Sequence, residues 1–148
     1  MTDPQSILNP PPKAPEALRL TKGQIGLLMV FGAILWVLGI FQLRWAGAMG
    51  ALTDGRTAIV YGVILLATVP LVAFAPKAVG LPPSARLHCA TIIAAVAALL
   101  DGVAVRWTHI YADAPGLRAN CAASLLWAIG VAVALGLIMS RSRSPAEP

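Results

Sequence analysis

The chain has 148 residues, of which 58% are hydrophobic and only 11% charged, and its mean hydropathy is +0.79. A water-soluble domain carries roughly 25% charged residues, so a soluble globular fold is excluded. The net charge of +5 comes from Lys and Arg residues scattered through tails and loops without a basic run, which argues against a nucleic-acid-binding surface.

Residues 1–20, with "NPPPKAP", read as a disordered or extended Pro-rich tail. Four long apolar runs follow, at about 23–43, 57–75, 87–106 and 119–139. Each is close to the ~20 residues that cross a hydrocarbon core of about 30 Å. Backbone in lipid must satisfy its own hydrogen bonds, so each run is expected to be a helix. The polar stretch ahead of the first run, and that run's length, argue against a cleaved signal peptide. The first connection, "RWAGAMGALTDG", closes on Asp54-Gly55, a turn signal. The second, "APKAVGLPPSAR", carries prolines and places Ser84 to cap the third helix. The third, "RWTHIYADAPGLRAN", contains a Pro-Gly turn, and residues 141–148 form a short polar tail. Connections this short imply antiparallel neighbours. The expected fold is all-α, a polytopic membrane protein whose residues 21–140 form an antiparallel four-transmembrane-helix bundle.

Charge sets the expected orientation. Lys13, Arg19, Lys22, Lys77, Arg86, Arg141 and Arg143 fall on one side, and Arg44, Arg56, Arg106 and Arg118 on the other. The positive-inside rule then puts both termini in the cytoplasm of a bacterial inner membrane. Arg44-Trp45 and Arg106-Trp107 echo each other after the first and third helices, which chance and the interfacial preference of Arg and Trp explain better than a duplication, since the helices themselves do not align. Cys89 and Cys121 start neighbouring helices from opposite membrane faces, too far apart in depth for a disulfide, and read as buried small hydrophobes.

One carboxylate stands inside the oil: Asp101, in "AALLDGVAVRW". Ala90, Ala94, Ala98 and Gly102 form an i, i+4 row of small residues suited to close helix packing. Asp101 projects within roughly 40° of that row, and so into the bundle. Counted from the helix ends, Trp36, Tyr61 and Trp127 fall at a similar depth, about 7–12 Å below the same face. An intramembrane polar and aromatic layer of Asp101, Arg44, Tyr61, Trp36 and Trp127 is therefore expected, with Arg44 bending inward as the charge partner of Asp101. An unpaired carboxylate at this depth costs several kcal/mol, so it is paired or protonated. Three readings stay open: a structural tie between helices, a proton- or cation-coupled transport site, or an interfacial residue wetted by water.

No catalytic residue, metal site or cofactor is expected. His88 and His109 lie near opposite faces, and no nucleophile motif, nucleotide loop or His/Cys/carboxylate spacing for a metal appears.

"ILWVLGIFQLRWAG", the "LLD" ending at Asp101, Tyr111 and "LLWAIGV" together resemble a family of small bacterial four-helix membrane proteins known only as a domain of unknown function. The resemblance covers most of residues 31–137 and implies that Trp36, Arg44, Gly47, Asp101, Tyr111 and Trp127 are shared positions. "WTHIY" departs from the aromatic–Pro stretch such a family would place there. Small multidrug transporters compare in size alone, since their first-helix glutamate has no counterpart here. The resulting expectation is a non-enzymatic inner-membrane protein, a structural or accessory subunit or a permease-like module, with lipid and another membrane protein or a second copy as partners. The alternative is a homodimeric proton-coupled exporter of small molecules with Asp101 as its coupling acid.

Overall fold

The computed structural model describes residues 20–53 and 55–141; the two tails expected from the sequence lie outside them. The chain is an all-α four-helix bundle: α1 (Lys22–Ala48), α2 (Thr57–Ala78), α3 (Arg86–Trp107) and α4 (Pro115–Arg141), with a short 3-10 turn, Pro83–Ala85, leading into α3. All four helices are long and apolar enough to cross a membrane, with mean hydropathies of 2.3, 2.4, 1.9 and 2.3 over their best windows. At ~1.5 Å per residue the shortest spans about 33 Å, enough for a hydrocarbon core.

Local chemistry sets the helix ends. Thr21 and Gln24 form a reciprocal capping box: the Gln24 backbone N–H donates to Thr21 Oγ1 at 3.2 Å, and the Thr21 N–H to Gln24 Oε1 at 3.0 Å. α1 stops at Gly50, whose φ of +68° turns the chain, and the Ala51 N–H then closes on the Ala46 carbonyl at 2.9 Å. α2 ends the same way, with Gly80 at φ +67° and the Leu81 N–H on the Pro76 carbonyl at 2.8 Å. α4 begins on Pro115, whose missing N–H costs nothing at a first helical position. Pro70 and Pro76 lie inside α2, and each removes one donor from its ladder.

Two expectations about the ends need correction. "RWAGA" continues α1 to Ala48, because nothing in it opposes the helix before Gly50. Ser84 does not cap α3; it sits in the 3-10 turn, and Ala85 holds the cap position without a side-chain bond.

Cross-links sort the bundle into two faces. Gln24 Nε2 donates to the Val79 carbonyl and Arg86 Nη1 to the Met139 carbonyl, gathering the start of α1, the end of α4 and the α2–α3 loop on a terminal face. Arg44 Nη1 donates to the Ile110 carbonyl and Asn120 Nδ2 to the Leu52 carbonyl, gathering the α1–α2 and α3–α4 loops on a hairpin face. The helices therefore run up and down, yet contact does not follow chain order. α3 packs on α4, α1 on α3, and α2 on α4, so α1–α3 and α2–α4 are parallel pairs, whereas short loops alone suggested antiparallel neighbours throughout. α1 and α2 diverge around a space of about 310 Å³ floored by Ser124 and Ala128 of α4.

Small residues set the close approaches. A Cβ on Gly136 would meet the Ala90 Cβ at 3.0 Å and the Leu87 Cα at 3.2 Å, so α3 and α4 cross tightly near the terminal face. A Cβ on Gly32 would meet the Ile93 carbonyl oxygen at 3.2 Å, so α1 crosses α3 at the same half. Buried side chains form one cluster at each end. Leu28, Ala75, Cys89 and Ile93 share the terminal-face cluster, and Ile40, Leu43, Leu52, Tyr111 and Cys121 the hairpin-face one. The two cysteines are free thiols and belong to different clusters.

Candidate functional site

Asp101 points into the bundle, as its place beside the small-residue row implies, and is 8% exposed. α3 carries it three residues before buried Ala104 and a turn beyond Ala97, next to the α1 crossing. From α1, Trp36 Nε1 donates to Asp101 Oδ1 at 2.7 Å. From the α3–α4 loop, the Tyr111 hydroxyl donates to the same oxygen. One carboxylate oxygen thus joins three segments: α1, α3 and the loop that folds back over them.

Tyr111 is 3% exposed and lies in the hairpin-face cluster beside Ile40 and Leu43 of α1. Burial raises its phenol above the ordinary value, and the adjoining Asp101 raises it further through the hydrogen bond and through repulsion between the two anionic forms. Tyr111 therefore stays a neutral donor across the physiological range. The Trp36 bond ties α1 to α3 directly, and the Tyr111 bond ties the α3–α4 loop to the same oxygen.

Arg44 is not the partner of Asp101. Its guanidinium stays exposed and donates through Nη1 to the Ile110 carbonyl at 2.9 Å. An arginine one turn from a helix end keeps its hydration by reaching outward, and the loop offers it a carbonyl there. The correction leaves Asp101 held by two neutral donors. Arg44 still serves the site indirectly, because it fixes the backbone next to Tyr111.

Tyr61 and Trp127 come together, but away from Asp101. Their rings stack with centroids 5.4 Å apart and planes 11° from parallel, and Trp127 Nε1 donates to the Tyr61 carbonyl at 3.3 Å. They belong to the α2–α4 pair, so the single expected layer is two: Trp36–Asp101–Tyr111 on the α1–α3 side and Tyr61–Trp127 on the other. Depth counts from helix ends matched Trp36 with Asp101 and could not give the side on which Tyr61 and Trp127 pack.

The row of small residues also divides. Ala90 and Ala94 are buried, as close packing requires, whereas Ala98 and Gly102 are exposed. Beyond the Gly136–Ala90 crossing, α3 and α4 splay apart, and the upper half of the row faces a lateral cleft of about 460 Å³ that Asp101, Arg106 and Arg118 also line. On its inner side Asp101 borders a second space of about 150 Å³, shared with Trp36, Thr68 and Leu125. The Thr68 hydroxyl is satisfied by the Ile64 carbonyl of its own helix at 2.7 Å.

Tyr111 is the partner of Asp101 that helical periodicity missed. It lies past the end of α3, where a helical wheel says nothing, and only the family resemblance singled it out. Among the described residues no group of three or more His, Cys, Asp or Glu side chains converges as a metal site would require. No protein-family model, curated protein or solved structure matches the chain.

Proposed function

We propose that this chain is a non-catalytic, multi-pass protein of the bacterial inner membrane that serves as a structural or accessory subunit, with both termini in the cytoplasm. The observation that carries this reading is the bonding of Asp101. Oδ1 accepts from Trp36 of α1 and from Tyr111 of the α3–α4 loop, and both donors are neutral. A carboxylate so engaged is a latch that, together with the Arg44–Ile110 bond, ties α1 to α3 and to the loop that follows it. Large side chains including Leu27, Val30, Leu38 and Phe41 of α1 are exposed, which suits a helix facing lipid or another membrane protein.

The test is affinity capture of the full chain from native membranes in mild detergent. An accessory subunit brings a defined membrane-protein partner in fixed stoichiometry. Recovery of the chain alone, at every expression level and in several mild detergents, contradicts the reading.

A second reading is supported by the two spaces that meet at Asp101, one opening between α3 and α4 and one inside the bundle. An acid between two such spaces suits a homodimeric proton-coupled exporter. Under that reading, proteoliposomes show pH-gradient-driven uptake that Asp101→Asn abolishes while leaving the fold intact. Absence of such uptake across a broad substrate panel removes it.

A further inference from the structure

The cleft between α3 and α4 exists because the two helices touch closely at Gly136 and Ala90 and then diverge toward the hairpin face. Its walls are Ala98, Gly102 and Val105 on one side and Leu125 and Ile129 on the other. A Cβ on Gly102 would meet nothing within 4 Å, so the floor is open. A lateral apolar gap in a bilayer does not stay empty, because close-packed contact is lost along its whole length.

Charge selects the occupant. From Ala98 to Arg106 the cleft runs about 12 Å along α3, a length that takes the upper methylenes of one acyl chain. The cleft holds about 460 Å³ and opens to the side, between apolar walls. Its end toward the hairpin face carries two arginines, Arg106 in the last turn of α3 and Arg118 in the first turn of α4, at the depth of lipid headgroups. Arg118 is held in place by the Ala112 and Asp113 carbonyls, at 3.3 and 3.2 Å. The nearest acid on the wall, Asp101, lies about 7.5 Å deeper along α3, so an incoming anion meets the cations first.

We infer that this cleft binds one anionic phospholipid, with its phosphate between Arg106 and Arg118 and one acyl chain along Ala98, Gly102 and Ile129. The inference is independent of whether the protein acts as an accessory subunit or a transporter. Native mass spectrometry of the full-length protein in mild detergent, with added phosphatidylglycerol or phosphatidylcholine, tests it. One phosphatidylglycerol is retained in preference to phosphatidylcholine. Arg106→Gln reduces that preference about fivefold, matching the ~1 kcal/mol contributed by one arginine near an anionic headgroup. Gly102→Leu fills the floor and removes retention of the lipid while leaving the thermal midpoint within a few degrees of wild type. Equal retention of both lipids overturns the assignment, as does retention unchanged by either variant. A dimer that Gly102→Leu dissociates would also overturn it, since the cleft would then be an interface between two copies.

Discussion

Replacing Asp101 by Leu removes the only acceptor shared by Trp36 and Tyr111 while keeping a side chain of similar size. The Tyr111 hydroxyl is then stranded at a position 3% exposed, and the Trp36 indole N–H at a half-buried one. A buried donor left without a partner costs roughly 1–3 kcal/mol. Taking the full range for Tyr111 and about half for Trp36, the loss is about 3 kcal/mol. Leu offsets part of this because it avoids burying a carboxylate, leaving about 2 kcal/mol net. Asp101→Asn is milder: its amide oxygen still accepts from both donors, and the weaker neutral bonds are balanced by the smaller desolvation cost, so the change is within about 1 kcal/mol. For a chain of this length 1 kcal/mol corresponds to about 3–4 °C in thermal midpoint, so Leu lowers it by about 7 °C and Asn by less than about 4 °C. Thermal unfolding in one mild detergent, followed by tryptophan fluorescence, reads both. Equal loss from Asn and Leu would refute the reasoning, because the carboxylate's charge, not its acceptor geometry, would then be what the fold needs.

Gly136→Val should lower stability by about 1–3 kcal/mol, since its Cβ alone would meet Ala90 and the Leu87 backbone at 3.0 and 3.2 Å; a neutral outcome in thermal unfolding would mean that α3 and α4 do not cross there. The raised phenol of Tyr111 contributes stability that is complete below its unfolded value near ~10 and is lost as pH climbs from there toward the folded value. Phenolate absorbance should accordingly show one tyrosine titrating late, together with unfolding, and Tyr111→Phe should delete that late step. Reporter fusions at Lys77 and after Arg141 should read cytoplasmic and those near Asp113 periplasmic, and the reverse pattern would invert the proposed orientation. Asn120→Ala should cost about 1 kcal/mol by freeing the Leu52 carbonyl, with faster amide exchange in the α1–α2 loop.

The helices were legible because lipid demands long uninterrupted apolar runs, and nothing else in the chain supplies them. Their ends were less so: Arg44 reads as a boundary by charge, but a helix continues through "RWAGA" until Gly50 offers a left-handed turn. The inward direction of Asp101 agreed with the buried half of the small-residue row, Ala90 and Ala94, while the nearer members Ala98 and Gly102 face the cleft. Which helix it meets was not legible there. Helices that are apolar on all sides carry no stripe announcing their neighbour, so the α1–α3 and α2–α4 pairings, and with them the separation of Trp36 from Trp127, were hidden. The Arg44 assignment failed for a different reason. Charge complementarity favoured a salt bridge, whereas an exposed guanidinium one turn from the interface gains more by staying hydrated and capping the Ile110 carbonyl. Tyr111 escaped the helical-wheel argument, and was named through the family resemblance alone, because loop residues that fold back have no periodicity to betray them.

The claim that Asp101 latches α1 to α3 is tested most directly by a double-mutant cycle between Trp36→Phe and Asp101→Leu, measured as unfolding free energy in one detergent. Polar pairs between transmembrane helices couple by about 0.6 kcal/mol on average and at most ~1.7. The short, partly buried bond from Trp36 Nε1 to Asp101 Oδ1 should fall in the upper half of that range, at about 1–1.5 kcal/mol. Strict additivity of the two substitutions would contradict the latch.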